Sequence, residues 1–140
     1  MNIIFVCTGN TCRSPMAEAY ASYIMPKHNF SSRGIMAYEG MPMSANAEAA
    51  LTTLNIPHRE HFSKNITKED IEKADLILTM SSSHKRALEG FCEGKIFTLK
   101  EYALGERGDI ADPFGGDEQT YINCLEEIIG CIDSLKERLK

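Results

Sequence analysis

A short polar segment, with a cysteine at one end and an arginine near the other, separates the first apolar run from the first helical pattern. Residues 2–6 are NIIFV, which is uninterruptedly apolar after Asn2 and typical of a strand buried on both faces. Pro15 suits the first turn of a helix, where a missing N–H costs nothing, so the pattern predicts a helix over 15–25. The segment from Cys7 to Ser14 must then be a tight strand-to-helix loop, and this order of elements favours an α/β fold.

The loop has the chemistry of an anion site that also holds a nucleophile. Its backbone amides and the positive end of the following helix dipole favour an anion at one spot. Arg13 adds a planar fork of donors that matches two oxygens of a phosphate. Amides and cations of this kind lower the pKa of a thiol from about 8.5 to roughly 3.5–7.5. Cys7 and Arg13 therefore predict phosphoryl transfer through a covalent sulfur intermediate.

The remaining loop residues suit this chemistry. Gly9 permits a tight cradle, Asn10 can brace it through the side-chain amide, and the Ser14 hydroxyl can donate to the thiolate. The alternative is an ordinary structural cysteine, because a cysteine and an arginine at this spacing occur by chance in many chains. The strand before the loop, and the helix signal after it, favour the catalytic interpretation. The predicted phosphate-binding residues are Thr8, Gly9, Asn10, Thr11, Cys12, Arg13 and Ser14.

Residues 7–18, CTGNTCRSPMAE, resemble the phosphate-binding loop of the low-molecular-weight protein tyrosine phosphatase family. The resemblance extends to Asp112-Pro113 near the other end, so it covers essentially the whole chain. It implies that Cys7 is the nucleophile, that Arg13 holds the phosphate and that Asp112 protonates the leaving group.

The same resemblance implies three supporting roles around the loop. Ser32 and His61 resemble a serine and a histidine that hydrogen-bond to the loop asparagine, although Arg33 stands where the family more often has alanine. A histidine in a polar loop can equally be a solvated surface residue. Cys7 and Cys12 resemble a pair that forms a reversible disulfide after oxidation; the alternative is that Cys12 is only a small, tolerated side chain.

Two positions bear on the phosphoryl donor. Tyrosine-directed members of the family usually have a bulky aliphatic residue at the position of Thr11, and two aromatic residues after Asp-Pro. This chain has Thr11, and Phe114 is followed by two glycines, which resembles the protein arginine phosphatase branch. A hydroxyl suits a flat guanidinium rich in N–H donors, Phe114 can stack on its plane, and the glycines are expected to clear space. The alternative is neutral drift in a tyrosine phosphatase.

Two functions from other classes are alternatives to a phosphatase. An arsenate reductase has a similar fold and loop, but it needs two further cysteines close together after the third strand. Residues 81–90 contain none, which leaves only Cys92. A non-catalytic phosphoprotein-binding module would need Arg13 but would have no reason to keep Cys7 and Asp112 together.

Composition indicates the number of domains, the cellular compartment and the classes of partner. The 140 residues suit one domain over 1–140, and no apolar run approaches the roughly 18 residues of a membrane span. The opening run is needed as a strand and lacks a basic leader, so it is not expected to be a signal peptide. Five cysteines, an odd number without metal-ligand spacing, predict a reducing cytoplasm and no metal or other cofactor. A net charge of −5 argues against nucleic acid as a partner. The resemblance implies phosphorylated proteins as partners, and the chain is expected to be a monomer.

Alternating signals predict a doubly wound, four-stranded parallel sheet with helices on both faces and a ligand site beyond the strands' carboxyl ends. Further strands are predicted at 30–36, 76–78 and 96–99, and further helices at 44–54, from 67, at 81–88 and at 117–139. The first helix is expected to bury Met16, Tyr20 and Tyr23. The last is expected to bury Tyr121, Leu125, Ile128, Ile132, Leu135 and Leu139, with Cys124 and Cys131 as small core residues.

Overall fold

The computed structural model describes residues 1–140, which form four strands and six α-helices. In chain order the elements are β1 (Asn2–Cys7), α1 (Arg13–Ile24), β2 (Asn29–Gly34), α2 (Ala45–Thr53), α3 (Lys68–Lys73), β3 (Leu76–Thr79), α4 (Ser82–Leu88), β4 (Ile96–Thr98), α5 (Leu99–Leu104) and α6 (Glu118–Arg138). A 3₁₀ turn over Glu89–Phe91 follows α4. None of the helices is long and apolar enough to cross a membrane.

The sheet is parallel throughout, with strand order β2-β1-β3-β4. The side chains of β1 alternate between two hydrophobic clusters: Ile3 and Phe5 join one, and Ile4 and Val6 join the other. The larger cluster contains buried residues of α1, α2 and α6, and the smaller contains residues of α3 and α4. Both faces of the sheet are therefore covered by helices, and the predicted doubly wound fold is confirmed.

Capping residues set several helix boundaries. Ser44 accepts a hydrogen bond from the amide of Ala47 and starts α2, as predicted. Thr67 and Asp70 form a capping box at the predicted start of α3. The sequence interpretation missed α5, because the fourth strand was expected to run through 99. A second capping box, between Thr98 and Glu101, ends β4 and starts α5 directly.

The buried faces of α1 and α6 differ in how well the sequence predicted them. Five of the six apolar residues expected on α6 are buried, while Leu139 is half-buried because it lies just beyond the last helical turn. On α1 the prediction was wrong for Tyr23, which is 55% exposed, since Ala17 and Ala21 line the buried face instead. Tyr20 is half-buried and donates a hydrogen bond to Asp133 of α6.

The sheet order places the first loop at the topological switch point. The chain leaves β1 to form β2 on one side and later returns to form β3 on the other. A crevice opens at the carboxyl end of a strand whose neighbours are built in opposite directions, and α/β proteins bind ligands there. Residues 8–12 occupy this position, directly after β1 and before α1.

Candidate active site

Asn10 shapes the loop that joins β1 to α1. Its backbone lies in the left-handed region, with φ of 57°, which asparagine tolerates better than most residues. Its side-chain amide donates to the Ser14 hydroxyl at 2.9 Å, and its side-chain oxygen accepts the Lys64 amide at 3.0 Å. Asn10 is fully buried and thus braces the loop from within, as the sequence interpretation expected.

His61 reaches the same residue, and Ser32 does not. The Nε2 of His61 lies 2.6 Å from the carbonyl oxygen of Asn10, so this nitrogen carries the proton and donates it. The expectation for Ser32 was wrong: its hydroxyl donates to Glu18 of α1 at 2.7 Å. The physical reason is that Ser14 and Lys64 already occupy both ends of the Asn10 amide, while Ser32 faces α1 from β2.

The hydrogen bonds around Ser14 point one proton at Cys7. The Cys7 sulfur is 2.9 Å from the Ser14 hydroxyl oxygen, and both residues are buried. Because Asn10 donates to that same oxygen, the hydroxyl hydrogen of Ser14 is free to donate to the sulfur. A donor at this distance stabilises a thiolate on Cys7, which is the form that attacks an electrophile.

Arg13 and Asp112 meet across 99 positions of sequence to complete the site. The guanidinium of Arg13 is buried and donates to the carbonyl oxygen of Ile110 at 2.8 Å. Its other terminal nitrogen lies 3.7 Å from the carboxylate of Asp112, whose side chain is 52% exposed. The second carboxylate oxygen of Asp112 accepts the Phe114 amide at 3.1 Å, so the loop itself orients the acid.

The two nearest competing carboxylates are occupied elsewhere. Asp109 accepts the backbone amide of Ser82 at 2.9 Å, at the start of α4. Asp117 caps α6 by accepting the amide and hydroxyl of Thr120. Asp112 is therefore the carboxylate that the fold presents to the loop.

A pocket of about 460 Å³ opens over the loop. Its walls are Cys7, Thr8, Gly9, Thr11, Cys12, Arg13, Met36, Tyr38, Met41, Asp112 and Phe114. The sequence interpretation did not identify the three apolar residues of the segment after β2. They are exposed, Tyr38 to 86%, and the backbone amide of Met36 attaches this segment to the loop by donating to the Thr8 carbonyl oxygen. Exposed apolar residues directly after a parallel strand were the signal that could have found them.

Cys12 lies in a polar cage behind the pocket. Its sulfur is 3.5 Å from both the Ser44 hydroxyl and the Tyr121 hydroxyl. Burial and then the hydrogen bond with Cys12 raise the pKa of Tyr121 to about 12. All five cysteines are free thiols, so no disulfide joins Cys12 to Cys7 in this structure. On α6, burial raises the pKa of Cys124 to about 12 and that of Cys131 to about 11, which suits packing rather than chemistry.

His84 is a further residue near the loop that the sequence interpretation missed. It lies buried on α4, with Nε2 2.8 Å from the Thr8 hydroxyl and Nδ1 2.9 Å from the Ser81 hydroxyl. Burial, followed by the positive charge of Arg13, lowers its pKa to about 4. The available signal was its place just after β3, the strand next to β1, since neighbouring parallel strands end at one edge.

The site geometry agrees with a comparison across the whole chain. The model of the low molecular weight phosphotyrosine protein phosphatase family matches residues 2–140. The chain belongs to this family. It is therefore a cysteine-dependent phosphatase, and the family implies phosphorylated proteins as substrates.

Similar proteins within the family are named after two different substrates, phosphotyrosine and phosphoarginine proteins. The chain is 42% identical over 139 residues to the low molecular weight protein-tyrosine-phosphatase PtpB of Staphylococcus aureus, covering 98% of each chain. It is 41% identical over 147 residues to the protein-arginine-phosphatase of Bacillus subtilis, covering 100% of this chain and 97% of that one. These two identities are nearly equal, so overall similarity does not separate the two substrates.

A solved structure of a phosphatase mutant is also similar. The C7S mutant of YwlE arginine phosphatase, with a phosphorylated active-site serine, matches with a TM-score of 0.95 and 40% identity. The match covers 99% of this chain and 95% of that chain. That protein thus carries a serine in place of its cysteine 7 and a phosphoryl group on an active-site serine.

Proposed function

We propose that this phosphatase hydrolyses phosphoarginine in proteins. The observation that carries the proposal is the threonine in the pocket wall. Thr11 is half-buried and lines the pocket, and the nearest hydrogen-bonding partner of its hydroxyl is the Cys12 sulfur, at 3.8 Å. Its lone pairs are therefore available to a substrate. A guanidinium is rich in N–H donors and has no acceptor, whereas the ring of phosphotyrosine has no N–H to offer.

Phe114 adds a second aromatic side chain to the pocket wall, besides Tyr38. Phe114 is 81% exposed and lines the pocket, where a guanidinium plane can stack on it. The two glycines that follow do not line the pocket, contrary to the expectation that they clear space there. Gly115 has φ of 84° in a turn, and Gly116 is required because a Cβ would lie 2.6 Å from Thr120. The relevant feature is therefore the absence of a second aromatic residue directly after Phe114.

We infer a mechanism in two steps. The Cys7 thiolate attacks phosphorus while Arg13 and the loop amides hold the phosphoryl oxygens. As the P–N bond breaks, Asp112 gives its proton to the departing guanidine nitrogen. Asp112 then takes a proton from water, which attacks the phosphocysteine and releases phosphate and the thiolate. Ser14, aligned with the sulfur, stabilises the thiolate at both ends of the cycle.

Tyrosine phosphatase activity is the alternative within the family, and the Staphylococcus aureus relatives support it. It would require a pocket with the polar Thr11, and with Phe114 as the one aromatic residue directly after Asp112-Pro113, to accept a phenyl ring. The alternatives outside the family are less well supported. Cys92 is the only cysteine between β3 and β4, so the pair that an arsenate reductase needs is missing, and a binding module would not need Asp112 beside Arg13.

The proposal extends to the setting of the enzyme. Cys7, Arg13 and Asp112 of one chain complete the site, so a monomer suffices for activity. Five free thiols, one of them the proposed nucleophile, suit the reducing cytoplasm.

The test compares two peptides with identical flanking residues, one with phosphoarginine and one with phosphotyrosine. We expect the wild-type enzyme to have the higher kcat/KM for phosphoarginine. Thr11→Ile should lower the phosphoarginine-to-phosphotyrosine ratio roughly ten- to a hundredfold, since it removes a hydrogen bond to a charged group. The ratio cancels general damage to the loop.

Thr11→Ser is the matched control, because it keeps the hydroxyl and should keep most of the preference. An unchanged ratio in Thr11→Ile would remove Thr11 from specificity. A wild-type preference for phosphotyrosine would overturn the arginine proposal and leave the phosphatase mechanism in place.

A further inference from the structure

Thr8 directly follows the proposed nucleophile and lines the same pocket as Thr11. Its hydroxyl lies 2.8 Å from Nε2 of the buried His84, a much closer contact than the 3.8 Å between the Thr11 hydroxyl and the Cys12 sulfur. His84 is in turn held through Nδ1 by the Ser81 hydroxyl, which also contacts the Ser83 hydroxyl at 2.9 Å. A chain of hydrogen bonds thus runs from the start of α4 to the pocket wall and fixes the direction of one hydroxyl.

This contact is not needed to hold the loop. The carbonyl oxygen of Thr8 already accepts the amide of Met36 at 3.0 Å, and that of Cys7 accepts the amide of Ile35 at 3.0 Å. Asn10 braces the next turn of the loop from inside. The hydrogen bond between Thr8 and His84 therefore selects a side-chain orientation for Thr8 rather than a backbone path.

The hydroxyl of Thr8 keeps a free acceptor in either tautomer of His84. A hydroxyl has one hydrogen and two lone pairs. If Nε2 donates to Thr8, one lone pair and the hydrogen remain; if Nε2 accepts from Thr8, both lone pairs remain. A guanidinium offers only N–H donors, so this acceptor matches it in both cases.

We propose that Thr8, oriented by His84, is a second specificity-determining contact for the guanidinium of the substrate. This inference rests on the proposed phosphoarginine function. Thr8 and Thr11 would then bind N–H groups from two points of one loop while Phe114 covers the plane. His84 acts through Thr8 and is a positioning residue.

The charges around His84 fit this role. A protonated imidazole behind Thr8 would repel a cationic substrate. Arg13 faces His84 and, together with burial, keeps its pKa at about 4, while Asp109 and Asp112 oppose this more weakly. His84 is therefore neutral at neutral pH, and the pocket wall beside Thr8 gains no positive charge from it.

The decisive variant is Thr8→Val, which removes the hydroxyl at nearly constant volume on an exposed residue. We expect the phosphoarginine-to-phosphotyrosine ratio of kcat/KM to fall about tenfold or more, because the bond lost is to a charged group. Thr8→Ser should restore the ratio. His84→Leu should lower the ratio in the same direction, and His84→Gln, whose amide can reach the Nε2 position, should recover part of it.

Vanadate inhibition separates specificity from loop damage, since vanadate occupies the anion site without a guanidinium. Its inhibition constant should change less in Thr8→Val than kcat/KM for phosphoarginine does. An unchanged substrate ratio, or equal losses for both substrates together with weaker vanadate inhibition, would overturn the inference. The wild-type ratio alone tests the proposed function, so a wild-type preference for phosphotyrosine would overturn that function first and this inference with it.

Discussion

Asp112 is the only carboxylate among the pocket walls, so we predict that it protonates the leaving group. It lies at the rim, 3.7 Å from Arg13, and is half exposed, so a substrate atom can reach it. We expect Asp112→Asn to lose about 10²–10⁴-fold in kcat on phosphoarginine, whose leaving nitrogen needs a proton. The loss should be smaller on p-nitrophenyl phosphate, whose leaving group needs none. Steady-state kinetics on both substrates measures this, and equal losses would reduce Asp112 to a loop-shaping residue.

We predict that Cys12 protects Cys7 from irreversible oxidation. Both sulfurs face one pocket, and only weak contacts of 3.5 Å hold Cys12 to Ser44 and Tyr121. A sulfenic acid on Cys7 can be trapped by a neighbouring thiol before it oxidises further. We expect wild-type enzyme inactivated by mild peroxide to recover with dithiothreitol, and Cys12→Ser to remain inactive. Full recovery of the mutant after the same dose would contradict protection by Cys12.

Single residues show where sequence reasoning ended. The spacing of Cys7 and Arg13 predicted their meeting at one loop, because a strand-to-helix turn leaves few paths. The expectation for Ser32 rested on a resemblance at a segment where Arg33 departs from the family pattern. The direction of the Ser32 side chain is set by β2, which turns it towards Glu18 of α1. His84 was missed although it follows β3, because its partner Thr8 is 76 positions away and its contact depends on burial.

At the scale of elements, capping residues and repeated apolar patterns predicted the helices reliably, because both depend only on residues close in sequence. The capping residues Ser44 and Thr67 predicted the starts of α2 and α3. The apolar stripe of α6 predicted its packing, as a 21-residue helix repeats its pattern several times. In the shorter α1 the prediction that Tyr23 is buried was wrong, because two small alanines lie on the buried face of this helix. The six-residue α5 was hidden behind a three-residue strand, with no room for periodicity.

The loops that connect the strands and helices form the site, and they have the weakest signals in the sequence. Gly34 ends β2 beside the loop, where a Cβ would lie 2.7 Å from the Thr8 carbonyl oxygen. This close approach lets the segment over 36–41 become a pocket wall. A glycine at a strand end is common in any α/β protein, so only the assembled fold shows which backbone it must approach.

For the molecule as a whole, the same burial that keeps His84 neutral makes folding depend on pH. Its pKa falls from the usual 6.5 to about 4 in the folded state. Between these values the unfolded chain binds a proton that the folded chain excludes, so the free energy of unfolding rises with pH. This stability is fully present above about 6.5 and is lost as the pH falls towards 4.

Urea unfolding at pH 7 and pH 5 tests this linkage. We expect the wild type to lose roughly 1–2 kcal/mol between these two values from His84, after allowance for partial solvent screening. The carboxyl groups of Asp70 and Glu101 also have lowered pKa values, Asp70 through Thr67 and Arg33 and Glu101 through Lys85 and Thr98, but they act below the usual carboxyl range of about 4. His84→Gln keeps a polar side chain that does not titrate, so its unfolding free energy should change less over this interval. The control differs from the wild type only in that side chain. If the unfolding free energies of both proteins changed equally with pH, His84 would be protonated in the folded enzyme at pH 5. Its burial next to Arg13 would then not exclude the proton.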